Sequence, residues 1–117
     1  MSRSLRLYLD DILKSLTKIQ SYTTQMSQEQ LVADERTFDA VIHNLQIIGE
    51  ASKNIPDDLR NRYNSIDWKK IIGLRNIIVH TYFSVDDEIV WDIIQTKLAP
   101  LKSSIETILE QESLDIE

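Results

Sequence analysis

The stretch 5-LRLYLDDILKSLTKI-19 decides the class of fold. Leu5, Leu9, Ile12, Leu16 and Ile19 recur at steps of four, three, four and three residues. At about 100° per residue this spacing gathers them into one stripe. It predicts an amphipathic helix over roughly residues 4 to 25. Working outward, 27-SQEQ-30 reads as a capping box that opens a short helical turn. A second long helix is expected after Asp34, with Phe38, Val41, Ile42, Leu45, Ile48 and Ser52 on one face. The segment "NIPDD" ends it at Pro56. Residues 57 to 66 read as turn-like, with room for one helical turn. Asp67 is the expected N-cap of a third helix from Trp68 to about Tyr82. "SVDD" at 84 to 87 offers another capping box, and Ile89, Val90, Ile93, Ile94 and Leu98 carry a fourth helix, kinked or restarted at Pro100. Leu101, Ile105, Ile108 and Leu109 continue its stripe towards an acidic tail, about 112 to 117, expected to fray. The class is therefore all-α: an antiparallel bundle of four to five helices in one domain spanning 1–117.

Composition agrees. Two glycines and two prolines are too few for a chain of many short strands. The absence of cysteine excludes disulfides and thiolate metal sites and is compatible with a reducing cytoplasm. The start, "MSRSLRLYLDDILKSL", interrupts its apolar residues with charges, unlike the h-region of a signal peptide. No run approaches about 18 uninterrupted apolar residues, so no membrane span is expected. The net charge of −6 argues against general nucleic-acid binding. That charge is uneven, because residues 59 to 80 hold Arg60, Arg62, Lys69, Lys70 and Arg75 against Asp67 alone. Charge by itself leaves open whether this basic island is a local anion site or chance.

The third helix is too apolar for a surface helix, yet it carries "RNIIVHTY" at 75 to 82. With Arg75 set at zero, Ile71, Leu74, Ile77 and Ile78 fall between about 200° and 320°, a wide core face. Val79, Ile72, Asn76 and His80 fall at about 40°, 60°, 100° and 140°, so the opposite face mixes aliphatic with polar groups. A structural reading pairs Arg75 with a carboxylate such as Glu50 or Asp39 and lets His80 bond a carbonyl. A functional reading lines a half-buried anion pocket with Arg75, Asn76 and His80. The arginine fork suits phosphate, and a histidine with a pKa near 6.5 suits proton transfer. Arg75 and His80 stand about 140° apart, so one helix does not aim both at one atom. A second copy across a two-fold axis would bring four such groups together, which argues for a homodimer.

Arg75 to Tyr82 fits R-x4-H-x-Y with a polar residue after the arginine, and this resembles the HEPN superfamily of ribonucleases, within it the HepT-like toxin family. "YLDDILKSLTKIQSYT", "DAVIHNLQIIGEASKNIP", "WKKIIGLRNIIVHTYF" and "VDDEIVWDIIQTKLAPLK" look like segments of that family in the expected order, covering almost the whole chain. The resemblance implies a metal-independent endoribonuclease without cofactor, an all-α homodimer with the motifs meeting at its interface. His80 would deprotonate the attacking 2′-OH or protonate the leaving oxygen, Arg75 would hold the scissile phosphate, and Asn76 would orient one of them. The implied products end in a 2′,3′-cyclic phosphate and a 5′-hydroxyl. The implied biology is the toxin of a type VII-like toxin–antitoxin pair, cytoplasmic, silenced when an MntA-type nucleotidyltransferase attaches AMP to Tyr82.

Other residues carry less. His43 lies off the apolar stripe and reads as a solvated surface histidine, and two histidines 37 residues apart make a metal site improbable. Glu50, after Gly49, is a possible partner of Arg75 in the shell behind the site. Trp68 and Trp91 read as core or interface anchors, and Asp86, Asp87, Glu88 and Asp92 as a helix start with a solvated face. The alternative to a nuclease is a non-catalytic helical module that binds a nucleotidyltransferase, a nucleotide, or both. Plain structural dimerisation would leave the polar groups of the third helix unexplained.

Overall fold

The computed structural model describes residues 4–73 and 86–112. Leu9, Ile12, Leu16 and Ile19 are fully buried on α1 (Leu5–Thr23), as their spacing requires. Thr23 and Thr24 close that helix by donating their hydroxyls to the carbonyls of Ile19 and Gln20, at 2.8 and 2.7 Å. Gln25 then turns the chain with a φ of 65°, the left-handed region that usually goes to glycine or asparagine. The capping box of α2 (Gln28–Ala33) is complete. Ser27 Oγ accepts from the Gln30 amide at 3.1 Å, and Gln30 Oε1 accepts from the Ser27 amide at 2.8 Å. Asp34 caps α3 (Glu35–Lys53) by accepting from the backbone and the hydroxyl of Thr37. The short α4 (Asp57–Arg62) follows Pro56, and α5 opens over residues 68–73.

After α6 (Asp87–Asp92) the chain makes one π-helical turn, Ile93–Lys97, before α7 (Leu98–Gln111). Of the expected kink or restart at Pro100, the restart does not occur there, and the irregularity is the π turn just ahead of it. Pro100 lies inside the first turn of α7, where its missing N–H costs least. The strain a proline places on the carbonyl four residues back falls on Thr96, within the wide turn, where the Leu98 amide reaches Ile93 O instead of an i−4 partner. The start of α6 also differs from the expected capping box. Asp86 is the N-cap, its carboxylate accepting from the Glu88 amide at 2.8 Å, while Ser84 lies outside the described residues.

α1 packs chiefly against α3 and then α7, and α2 bridges α3 and α6. The shared core joins the α1 stripe to Leu31, Val41, Leu45, Ile48, Leu59, Val90, Leu98, Ile105 and Ile108. The described elements are helical throughout, a HEPN-type bundle in architecture. Ser15, Thr23, Asn44 and Ser52 are the buried polar side chains among the described residues, and two of them keep an unbonded atom. Asn44 donates to Ala40 O at 2.8 Å but leaves its own oxygen unbonded, and Ser52, 1% exposed, finds no partner for its hydroxyl among the described residues. No described helix is long and apolar enough to cross a membrane.

Candidate functional site

Three local contacts fix the approach to the motif. Trp68 is buried and donates its indole N–H to Tyr63 O at 3.1 Å, tying the start of α5 to the end of α4. Its own amide donates to Ile66 O at 2.9 Å. Asp67 caps α5 as its sequence predicts, accepting from the Lys70 amide at 3.2 Å. The same corner is clasped to the end of α7. Tyr63 donates its hydroxyl to Glu112 at 2.8 Å, and Arg62 lies 3.2 Å from the same carboxylate. The hydrogen bond to the Glu112 carboxylate favours the phenol form and pushes the Tyr63 pKa up.

Between α4 and α5 lies an open cleft of about 830 Å³. Asp57, Arg60, Asn61, Asn64 and Ser65 line it together with Asp67, Lys69, Ile72 and Gly73, and Ile66 and Trp68 also border it. Arg60 pairs with Asp57, and Lys70 lies 3.9 Å from Asp67. Lys69 is exposed and has no ion-pair partner among the described residues. The side chains of Asn61, Asn64 and Ser65 make no hydrogen bond among those residues. A Cβ built on Gly73 meets nothing within 4 Å.

Arg75, Asn76, His80 and Tyr82 lie outside the described residues. Glu50 is exposed on α3, where it lines a groove of about 240 Å³ with Tyr8, Asp11, His43, Gln46 and Asn54. Tyr8, Asp11 and Glu50 each already have an interaction partner. His43 is exposed, matching the surface histidine its position predicts. Trp68 belongs to the core and Trp91 packs half-buried against it. Arg60, Arg62 and Lys70 are matched to carboxylates, so the basic island is mostly neutralised locally rather than one free cationic patch. The sequence reads residues 57 to 66 as turn-like with room for one helical turn, which α4 occupies, but does not show their place on a cleft. The available signal was a run of polar residues, Asn61 to Ser65, just before the cap of the motif helix.

A family model described as ribonuclease HepT-like matches residues 12–108. The chain is 36% identical to "Probable ribonuclease HepT" of Thermococcus cleftensis, over 92% of this chain and 98% of that one. It is 37% identical to "Putative RNase MJ0127" of Methanocaldococcus jannaschii, over 92% and 89% of the two chains. It is also 35% identical to "Gamma-glutamylcyclotransferase and putative RNase MJ0434" of the same archaeon, covering 95% of this chain but spanning only 50% of that protein's length. No solved structure matches the chain significantly.

Proposed function

This chain belongs to the HepT-like ribonuclease family, and on that premise we propose that it is a metal-independent endoribonuclease acting through Arg75, Asn76 and His80. The observation that carries the reading is the family match along residues 12–108, a range that includes the R-x4-H-x-Y stretch at 75 to 82. In the proposed reaction the ribose 2′-oxygen attacks the adjacent phosphorus, and the bond from phosphorus to the 5′-oxygen breaks. One proton leaves the 2′-OH and one reaches the departing 5′-oxygen, so the products are a 2′,3′-cyclic phosphate and a 5′-hydroxyl. His80 moves one of these protons, a task suited to a group titrating near neutrality. Arg75 holds the phosphate by two parallel N–H bonds and offsets the charge that grows on it. Asn76 orients one of the two.

The wider setting belongs to the same proposal. The protein is the toxin of a two-component pair, acts as a homodimer in the cytoplasm, and is silenced by an MntA-type nucleotidyltransferase that adenylylates Tyr82. The chemistry is tested with purified protein and a defined RNA, with and without EDTA, and analysis of both product ends. Cyclic phosphate ends formed equally in EDTA are expected. His80→Ala should lower the rate by roughly 10²- to 10⁴-fold with the helical content unchanged. Cleavage that persists when the 2′-OH at the cut site is replaced by hydrogen would sink the mechanism.

A further inference from the structure

The cleft between α4 and α5 is continuous along the chain with the proposed catalytic stretch. Gly73 lines the cleft and stands two residues before Arg75. Two residues of backbone span at most about 7 Å whatever their conformation. The α5 residues on the cleft also share a side. Relative to Arg75, helical spacing puts Ile72, Lys69 and Gly73 at about 60°, 120° and 160°. If the helix continues as the sequence predicts, the same spacing would put Asn76 and His80 at about 100° and 140°, inside that arc.

The groups lining the cleft then select an occupant. Lys69 is its unpaired cation among the described residues, since Arg60 is held by Asp57, and the carboxylates of Asp57 and Asp67 leave the cleft close to neutral. One cation cannot hold a duplex by phosphate neutralisation. The amides of Asn61 and Asn64 each offer a donor beside an acceptor, the pattern that reads a base edge, and neither is used within the described residues. Base edges in RNA are open to such groups where the strand is single. Gly73 presents backbone with open space in front of it, so a ligand can approach closely. Trp68 is buried beneath and offers no stacking face. A volume of about 830 Å³ suits a small stretch of nucleotide.

We propose that this cleft seats single-stranded RNA next to the scissile phosphate, with Asn61 and Asn64 on base edges and Lys69 on one phosphate. These are positioning residues, and the assignment rests on the ribonuclease reading above. Accordingly the protein would select its cut sites by a base neighbouring the broken bond, with little dependence on salt.

The test uses the full chain, a fluorescent single-stranded RNA of mixed sequence carrying a deoxyribose at each mapped cut site for binding, and the matching all-ribose RNA for cleavage. The double variant Asn61→Ala, Asn64→Ala should raise the Kd and KM about tenfold or more, flatten the preference among neighbouring bases, and change kcat far less. Lys69→Gln should reduce the slope of log affinity against log salt by about 0.7, whereas Lys14→Gln, an exposed cation on α1, should not. Gly73→Ala should raise the Tm, because alanine is the better helix former, yet weaken RNA binding. A merely structural glycine would not move the two in opposite directions. RNA binding unchanged in all three variants, alongside normal cleavage, overturns the cleft and leaves the nuclease standing. Binding through these residues without any cleavage by the unaltered protein overturns the nuclease and leaves the cleft. Variants that loosen a dimer in sedimentation without touching RNA affinity would make the cleft a contact between copies, and the proposal fails.

Discussion

Arg60, Arg62 and Lys70 each sit beside a carboxylate, and Lys69 does not. The pairs are exposed to solvent in at least one partner, so each contributes little to stability, about 0–1 kcal/mol. Their larger effect is on the field ahead of the motif in the chain, where Lys69 is the one of Arg60, Arg62, Lys69 and Lys70 left unpaired among the described residues. A phosphate arriving there meets few competitors for Arg75. That sharpens the role proposed for Tyr82, seven residues on, which helical spacing returns to within about 20° of Arg75. AMP on its hydroxyl would put a phosphate where the RNA backbone must lie and pair it with the same arginine. Tyr82→Phe is expected to keep most of the nuclease activity and to resist covalent silencing. Mass spectrometry after incubation with ATP, Mg²⁺ and the cognate nucleotidyltransferase checks this. Modification on another residue, or silencing of the phenylalanine variant, would show that Tyr82 is not the switch.

At the scale of elements, the chain is organised by short polar side chains that satisfy helix starts. Ser27, Asp34, Asp67 and Asp86 each accept from an amide two or three residues on. Asp34 also yields a pH prediction. The Thr37 backbone amide, then the Thr37 hydroxyl, hold its carboxyl below the usual 3.8. Because the folded pKa is depressed, the unfolded chain binds the proton more readily, and stability rises with pH across this range. The contribution is complete above 3.8 and is lost as pH falls through the lower folded value. Asp34→Asn keeps a capping oxygen but cannot titrate, so its Tm deficit should shrink between pH 6 and about pH 2. A constant gap over that range would refute the linkage. The caps at Ser27 and Asp67 were legible in the sequence because they act over three residues, and the α1 stripe because a period of 3.6 is local too, whereas at α6 the cap is Asp86 and not the expected Ser84. The π turn was not. Pro100 signals a lost N–H, but the accommodation falls on residues 93–97, where no single side chain announces it. The cleft was hidden for a related reason. The polarity of 61-NRYNS-65 is visible in the sequence, but that it shares a cleft with Lys69 and Gly73 goes with Trp68 tying α5 to Tyr63, a contact no local pattern announces.

At the scale of the whole molecule, a chain of net charge −6 must handle a polyanion. Its long-range field opposes RNA association, so affinity has to come from short-range groups gathered at one place. Arg75 and His80, about 140° apart by helical spacing, do not converge on one phosphate from a single helix. The proposed homodimer resolves both problems, since a two-fold axis through the motif helices sets the arginine of one copy beside the histidine of the other. This arrangement makes a prediction that shared burial alone would not. Arg75→Ala and His80→Ala should each be inactive as pure proteins. After the two are mixed and allowed to exchange subunits, about half of the dimers hold one of each variant. If each site takes its arginine and histidine from different copies, every mixed dimer carries one intact site and one lacking both groups. Activity should then return to about a quarter of the unaltered level, from two inactive parents. Sedimentation first establishes that the protein is a dimer at micromolar concentration, and exchange is followed by labelling one variant. Demonstrated exchange without recovered activity would mean that each site is built within one chain. A monomer in sedimentation would remove the two-fold axis altogether, and Arg75 and His80 would then need a bend in the motif stretch to reach the same phosphate.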